Sequence, residues 1–184
     1  PKVNLQVRHP GEKFVNRAEN EWPIARTQWT KLYLNPADFT LSTEPPSGKA
    51  DATYEALGEG LTFLTSPLEQ ETEITGPVAA RLFVSSETED ADIFLVLRVF
   101  NSEMREITFQ GSNDPHTPVG LGWLRASHRK LDRERTLPHR PYHTHDEKQP
   151  LKPGAVYDLD IEIWPTSIVV PKGYRIALTV RGKD

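Results

Sequence analysis

Alternation of apolar and polar residues with a period of two is the feature that most restricts this chain. In 155–164 (AVYDLDIEIW), Tyr157, Leu159, Ile161 and Ile163 alternate with Asp158, Asp160 and Glu162. In 173–182 (GYRIALTVRG), Tyr174, Ile176, Leu178 and Val180 alternate with Arg175, Thr179 and Arg181. Successive side chains of a strand point to opposite faces, so both segments read as strands with one buried face. Residues 77–86 obey the same rule, with Val78, Ala80, Leu82 and Val84 on one side and Ala79, Arg81 and Phe83 on the other. Residues 91–101 (ADIFLVLRVFN) are apolar on both sides, Ile93, Leu95, Leu97 and Val99 opposing Phe94, Val96 and Phe100. A two-faced apolar strand belongs in the middle of a layered structure.

Shorter strand candidates are 3–7, 30–34, 61–65, 105–110, 119–128 and 167–170, separated by Pro/Gly/Ser/Asp segments at 43–52 and 111–118 and by the long stretch 129–154. Pro165 is expected to stop pairing and leave Trp164 at a strand end. No amphipathic helix and no internal repeat is present, and 16 prolines among 184 residues oppose a helical bundle. The expected fold is all-β: an antiparallel jelly-roll β-sandwich over 41–184, with residues 1–40 as an N-terminal arm packed on it.

Charge and composition exclude whole function classes. Lys+Arg total 22 against 26 Asp+Glu, so no cationic excess exists to neutralise phosphates and nucleic acid is not an expected partner. No window reaches the roughly 20 apolar residues of a membrane-spanning helix. Cysteine is absent, which removes disulfides, thiolate metal sites and cysteine nucleophiles. Such a chain suits any compartment, with the cytoplasm favoured, and no cofactor is expected.

The G-x-S-x-G turn of an α/β-hydrolase nucleophile does not occur. Ser127 and His128 are adjacent, and on a strand over 119–128 their side chains would diverge, which denies them the hydrogen bond of a nucleophile–base pair. His139, His143 and His145 lie in PHRPYHTHD. His143 and His145 share one face of an extended segment at a spacing that suits two imidazole ligands of one metal ion, with His139 or Asp146 as a third. A proline-interrupted loop pinned by its own side chains explains the same residues. The run Glu87, Glu89, Asp90 and Asp92 offers carboxylates to calcium, or forms a solvated turn between two strong strands. Trp22, Trp29, Trp123 and Trp164 read either as a sugar-stacking platform or as core and interface residues.

The blocks GWLRASH (122–128), RPYHTH (140–145), LKPG (151–154), IEIWPTS (161–167) and GYR (173–175) resemble the C-terminal domain of X-Pro dipeptidyl-peptidase-like hydrolases, the CocE/NonD group. That group includes cocaine esterase and the α-amino acid ester hydrolases. NEWP (20–23), LYL (32–34), LTFLTSP (61–67), ITGPVAARLFVSS (74–86) and DADIFLVLRV (90–99) extend the resemblance over about 20–184. It implies a galactose-binding-like jelly roll that follows an α/β-hydrolase domain, where the Ser-Asp-His triad and oxyanion hole reside. No residue of this chain is then catalytic. The family's chain continues past the strand ending near Asp184, which implies a further loop and strand. The turn NSEMR (101–105) departs from the Pro-Asp-Gly type found there.

The function so implied is a non-catalytic accessory domain. It would pack against the α/β-hydrolase domain and wall off part of a cleft for small ester, amide or peptide substrates. Tyr54 and Leu57 are the candidate wall residues. An uncovered apolar face would let the isolated chain pair as a homodimer. The competing reading is a free-standing sandwich that binds carbohydrate or metal.

Overall fold

The period-two segments become the central strands of the computed structural model, which describes residues 1–184. In chain order the strands are β1 (Val3–His9), β2 (Lys13–Glu19), β3 (Tyr33–Asn35), β4 (Thr40–Ser42), β5 (Leu61–Leu64), β6 (Thr72–Val84), β7 (Asp92–Phe100), β8 (Gly120–Arg125), β9 (Tyr157–Val170) and β10 (Arg175–Arg181). The only helical element is one 3-10 turn, Ala126–His128. Hydrogen-bonded neighbours run β2-β1-β9-β8-β7-β10-β5-β4-β3, and β6 lies along β9.

Two layers follow from this order. β6 and β9 form one, and β8, β7, β10 and β5 form the other. Between them sits a single apolar cluster: Leu159, Ile161 and Ile163 from β9, Ile93, Leu95, Leu97 and Val99 from β7, Ile176, Leu178 and Val180 from β10, and Phe63 from β5. Val78, Ala80, Leu82 and Val84 of β6 pack against it. Apart from Phe63, these are the residues that the alternation set on one side; β10 departs from the expectation by burying its other face as well, at Ala177 and Thr179, because it lies between β7 and β5. Val96, on the other side of β7, is buried as well, as a two-faced apolar strand requires. The sheet is mixed rather than wholly antiparallel, because β1 beside β9 and β4 beside β5 run parallel, each through one residue pair.

The two layers meet as neighbouring strands at one pair, Gly122 with Ile163. A Cβ at position 122 would overlap the Glu162 carbonyl oxygen and come within 2.9 Å of Ile163 Cα. Glycine is required there by the close approach of two backbones.

β9 does not end at Pro165. It runs on to Val170, so Trp164 is internal to a 14-residue strand. The reason lies in its partner: Gly76 pairs with Thr166 and Val78 with Ile163, leaving Pro77 alone opposite Trp164 and Pro165. The extra residue makes a bulge, and both prolines sit where the ladder is already interrupted and no N–H is missed. Gly76 there takes φ 143°.

Segment 105–110 is not a strand. Isolated bridges Phe100–Glu106 and Phe109–Thr117 tie it down, and Arg98 grips both Glu106 oxygens at 2.8 and 2.5 Å. The preceding turn dispenses with Pro-Asp-Gly: the Asn101 side-chain oxygen accepts from the amides of Glu103 (3.0 Å) and Arg105 (2.9 Å).

Residues 1–40 contribute β1, β2 and β3. β1 and β2 form a hairpin in full register from Val3–Glu19 to His9–Lys13. Arg8 fastens it, donating to the Val119 carbonyl at 2.7 Å and to the Thr166 hydroxyl, with its guanidinium 4.8 Å over Phe109. Arg17 adds a two-pronged pair to Glu73 on β6, at 2.8 and 2.6 Å. Those bonds, aided by Thr75 and opposed by partial burial, hold the Glu73 carboxyl down at about 2.

Two outcomes follow. Gly122→Ala should lower stability by about 2 kcal/mol or more, read from the denaturant midpoint, because backbone must move to admit the methyl group. Glu73 has a depressed folded pKa, so its contribution is present above about 4.5 and is lost as pH falls toward 2. After discount for solvent screening it is worth about 1 kcal/mol. Glu73→Gln should remove that share of acid sensitivity in a series of melting temperatures against pH.

Candidate functional site

The chemistry-bearing residues gather where β8 leaves the sheet. After Arg125 the chain turns into the 3-10 segment, and Ser127 swings inward to 2% exposure. Its hydroxyl donates to Asp90 Oδ2 at 2.6 Å and its amide donates to Asp90 Oδ1 at 2.9 Å. Burial alone would raise the Asp90 pKa. The bonds from Ser127 and from the Ala91 amide outweigh it and hold the carboxyl below its ordinary value. Asp92 is engaged in the same way, taking two bonds from Arg125 at 2.8 and 2.9 Å. Backbone bonds then stitch the following loop to this corner: Gln149 N to Ser127 O (2.8 Å), Leu151 N to Glu89 O (2.7 Å) and Gly154 N to Ser86 O (2.8 Å).

Ser127 therefore faces a carboxylate and no imidazole. Ser127 and His128 do diverge, but through the 3-10 turn rather than through strand alternation. His128 reaches away to His145, Nδ1 to Nδ1 at 3.1 Å. The acidic run likewise serves its own chain, with Asp90 and Asp92 both occupied by donors.

The histidines divide into two places. His143 and His145 lie together, ring centroids 5.9 Å apart, and the His128 and His145 rings are 5.4 Å apart. His139 is elsewhere, stacked on Trp29 at 4.0 Å and 15°. The arms carrying the cluster are paired by Asp132 N to Tyr142 O (2.8 Å), Thr144 N to Lys130 O (3.1 Å) and a Leu131–His143 bridge. Burial, then the neighbouring His145, lowers the His143 pKa against the opposing Asp160 carbonyl. Its Nε2 is enclosed without a hydrogen-bond partner. No three His, Cys, Asp or Glu side chains stand arranged around one metal position. The sequence set His128 beside Ser127 and not with the other histidines, because it joins His145 only when the loop folds back across 17 residues.

Tyr54 and Leu57 belong to a second loop, across the end of β10. Ala56 O would lie 2.5 Å from a Cβ at Gly182, so that loop packs directly on the backbone there. Tyr54 is half-buried against the core, and burial raises its phenol pKa. Leu57 stands at the loop tip, 80% exposed. An open groove of about 470 Å³ lies on a different surface, lined by Glu134, Arg135, Leu137, Arg140, Tyr142 and Glu162. All four tryptophans are on the surface. Trp123 (51% exposed) and Trp164 (61%) meet at 5.1 Å and 52° on the outer face of β8 and β9, a tilted pair rather than a flat platform.

Removing the Asp90 carboxylate strands the buried Ser127 hydroxyl and amide. Asp90→Ala should cost about 2–4 kcal/mol, and amide exchange should speed up first in 126–154.

Comparison with known proteins places this geometry. A family described as the X-Pro dipeptidyl-peptidase C-terminal non-catalytic domain matches residues 1–184. A Mycobacterium tuberculosis protein provisionally named a serine esterase is 30% identical over 132 residues, which are 67% of this chain and 19% of that protein; a Mycobacterium bovis protein of the same provisional name matches equally. A CocE/NonD family hydrolase from Staphylococcus aureus superposes on the whole chain with TM-score 0.95 and 26% identity, over 34% of its own length. An aminopeptidase from a marine-sediment Thaumarchaeota archaeon shares the fold, at TM-score 0.67 and 18% identity over 92% of this chain and 31% of its own. The chain thus spans about a fifth of the curated relatives and a third of the solved hydrolase. With its one buried serine bonded to a carboxylate and turned from any imidazole, the chain belongs to the X-Pro dipeptidyl-peptidase C-terminal non-catalytic domain family.

Proposed function

We propose that this chain serves as the accessory sandwich of a CocE/NonD-type serine hydrolase, packing on the α/β-hydrolase domain and forming one side of its substrate cleft. The observation that carries the reading is the superposition of the entire chain on one third of a larger hydrolase. The arrest of Ser127 by Asp90 agrees with it, because bond cleavage is then left to residues outside these 184. The parent would cleave small esters or amides, dipeptidyl substrates among them, through an acyl-enzyme. Clefts form readily at domain interfaces, where two rigid surfaces shape one cavity.

Leu57 is the contact residue in this reading and Tyr54 is its anchor. A leucine held at a loop tip with most of its surface in water is suited to be covered by another surface or by a substrate. Tyr54, packed into the core three residues earlier, fixes where that tip stands.

In the full-length hydrolase, Leu57→Ala should raise KM about tenfold for a substrate that reaches the loop, with kcat little changed. Unchanged KM across acyl-group sizes removes Leu57 from the cleft. The 184-residue chain alone should not react with a fluorophosphonate probe; labelling at any of its serines overturns the accessory role.

A further inference from the structure

We propose, resting on the accessory reading, that the outer face of β8, β7 and β10 is where the α/β-hydrolase domain of the same polypeptide packs. The contact follows a row of side chains that runs from the Leu57 loop to Trp164. β7 supplies the reason. It is apolar on both sides, and such a strand lies between two covering layers. Its inner side, Ile93, Leu95, Leu97 and Val99, meets β9 and β6 in the core. Its outer side, Phe94, Val96 and Phe100, belongs to no part of that cluster.

The strand register aligns the outer residues across the sheet. Arg181 of β10 pairs with Phe94, and Phe94 pairs with Trp123 of β8. Trp123 in turn meets Trp164 of β9. In the next outward row, Thr179 pairs with Val96 and Val96 with Leu121. Both tryptophans stay more than half exposed, so the apolar strip is open at that end. The charges beside it are already closed within the chain, Asp92 by Arg125 and Glu106 by Arg98. The Thr62 and Thr179 hydroxyls bond each other at 2.8 Å. Such a face is covered without stranding a charge. Arg181 is the exception: its Nε is enclosed and has no acceptor. The fitting surface is therefore apolar over Phe94 and Trp123 and carries an oxygen acceptor opposite Arg181.

A domain of the same polypeptide answers that description best. The chain makes up 34% of the solved hydrolase on which it superposes whole, so the larger part of such a molecule stands beside it. Covalent linkage holds the neighbour at high local concentration, and a strip of mixed character is then enough. The strip is also continuous with the Leu57 loop. A Cβ on Gly60 would fall 2.6 Å from Arg181 Cβ, and Ala56 lies against Gly182. One docked domain thus covers the strip and meets Leu57 at its end.

Hydroxyl-radical footprinting of the full-length hydrolase tests this without any substitution. Trp123 is 51% exposed on this chain alone, so an uncovered face should slow its oxidation only about twofold relative to the urea-unfolded enzyme. Under a docked domain it should oxidise at least about tenfold more slowly, while the exposed Phe83 near the end of β6 stays reactive. In the same enzyme Trp123→Asp should speed inactivation in urea about tenfold, because it places an unpaired charge in the contact. Phe83→Asp should leave the rate unchanged. Trp123 oxidised at the twofold level in the monomeric enzyme overturns the proposal. So does protection that is lost on dilution together with a dimer-to-monomer shift in sedimentation, which assigns the face to a second copy. Either result leaves the accessory role standing; that role fails separately, through fluorophosphonate labelling of the 184-residue chain.

Discussion

Everything in this fold hangs on β9. It pairs with β6 from end to end, touches β8 at Ile163 and β1 at Ile168, and sends Leu159, Ile161 and Ile163 into the core. One strand can serve both layers only if a neighbour can come up against its backbone at the crossing, and Gly122 meets that need by having no side chain. Most of the core energy is ordinary apolar burial between facing layers. What makes the layers one sheet is a close approach between two peptide backbones, which tolerates no added atom.

Around that crossing, polar groups are settled within the chain rather than left for chemistry. Arg125 and Ser127 at the end of β8 meet Asp92 and Asp90 at the start of β7, 33 and 37 residues away along the chain, an assembly that resembles a catalytic centre in its residue types. Their hydrogen bonds close on each other and on the loop that returns through Gln149, Leu151 and Gly154. A hydroxyl that donates to a low-pKa carboxylate and sits at 2% exposure has neither a base to activate it nor room for an acyl group. The corner is a lock for a long loop. That loop, once held, brings three imidazoles from separated positions into one neighbourhood.

The surface divides by chemistry. The outer face of β8 and β9 carries the Trp123–Trp164 pair, the β10 end carries Leu57 on a loop anchored by Tyr54, and the β8 corner carries the histidines. A structural domain of a larger enzyme needs surfaces of the first two kinds, since covering exposed apolar groups is what holds neighbouring domains together. The histidine corner is polar and settles its own contacts through the His128–His145 hydrogen bond.

The long strands were written in the amino-acid order. Period-two alternation marked β6, β9 and β10 and the face each turns to the core, and a run apolar on both sides marked β7; the burial of Thr179 on the other face of β10 came only with packing. The hairpin strand β2 lies at the sheet edge and buries little, so its composition is free to look like loop, while β4, between β3 and β5, is three residues long and too short to show a period although it buries Leu41. Pro165 misled for the opposite reason, since its strand continues past it only because Pro77 and Gly76 on the partner absorb the extra residue. The site was legible in part. The run PHRPYHTHD held His143 and His145 together by local spacing, yet the stacking of His139 on Trp29 and the arrival of His128 beside His145 needed contacts between distant segments. Alternation is a property of neighbours along the chain and can be read there; proximity of imidazoles belongs to how loops return, which only the packed tertiary structure decides.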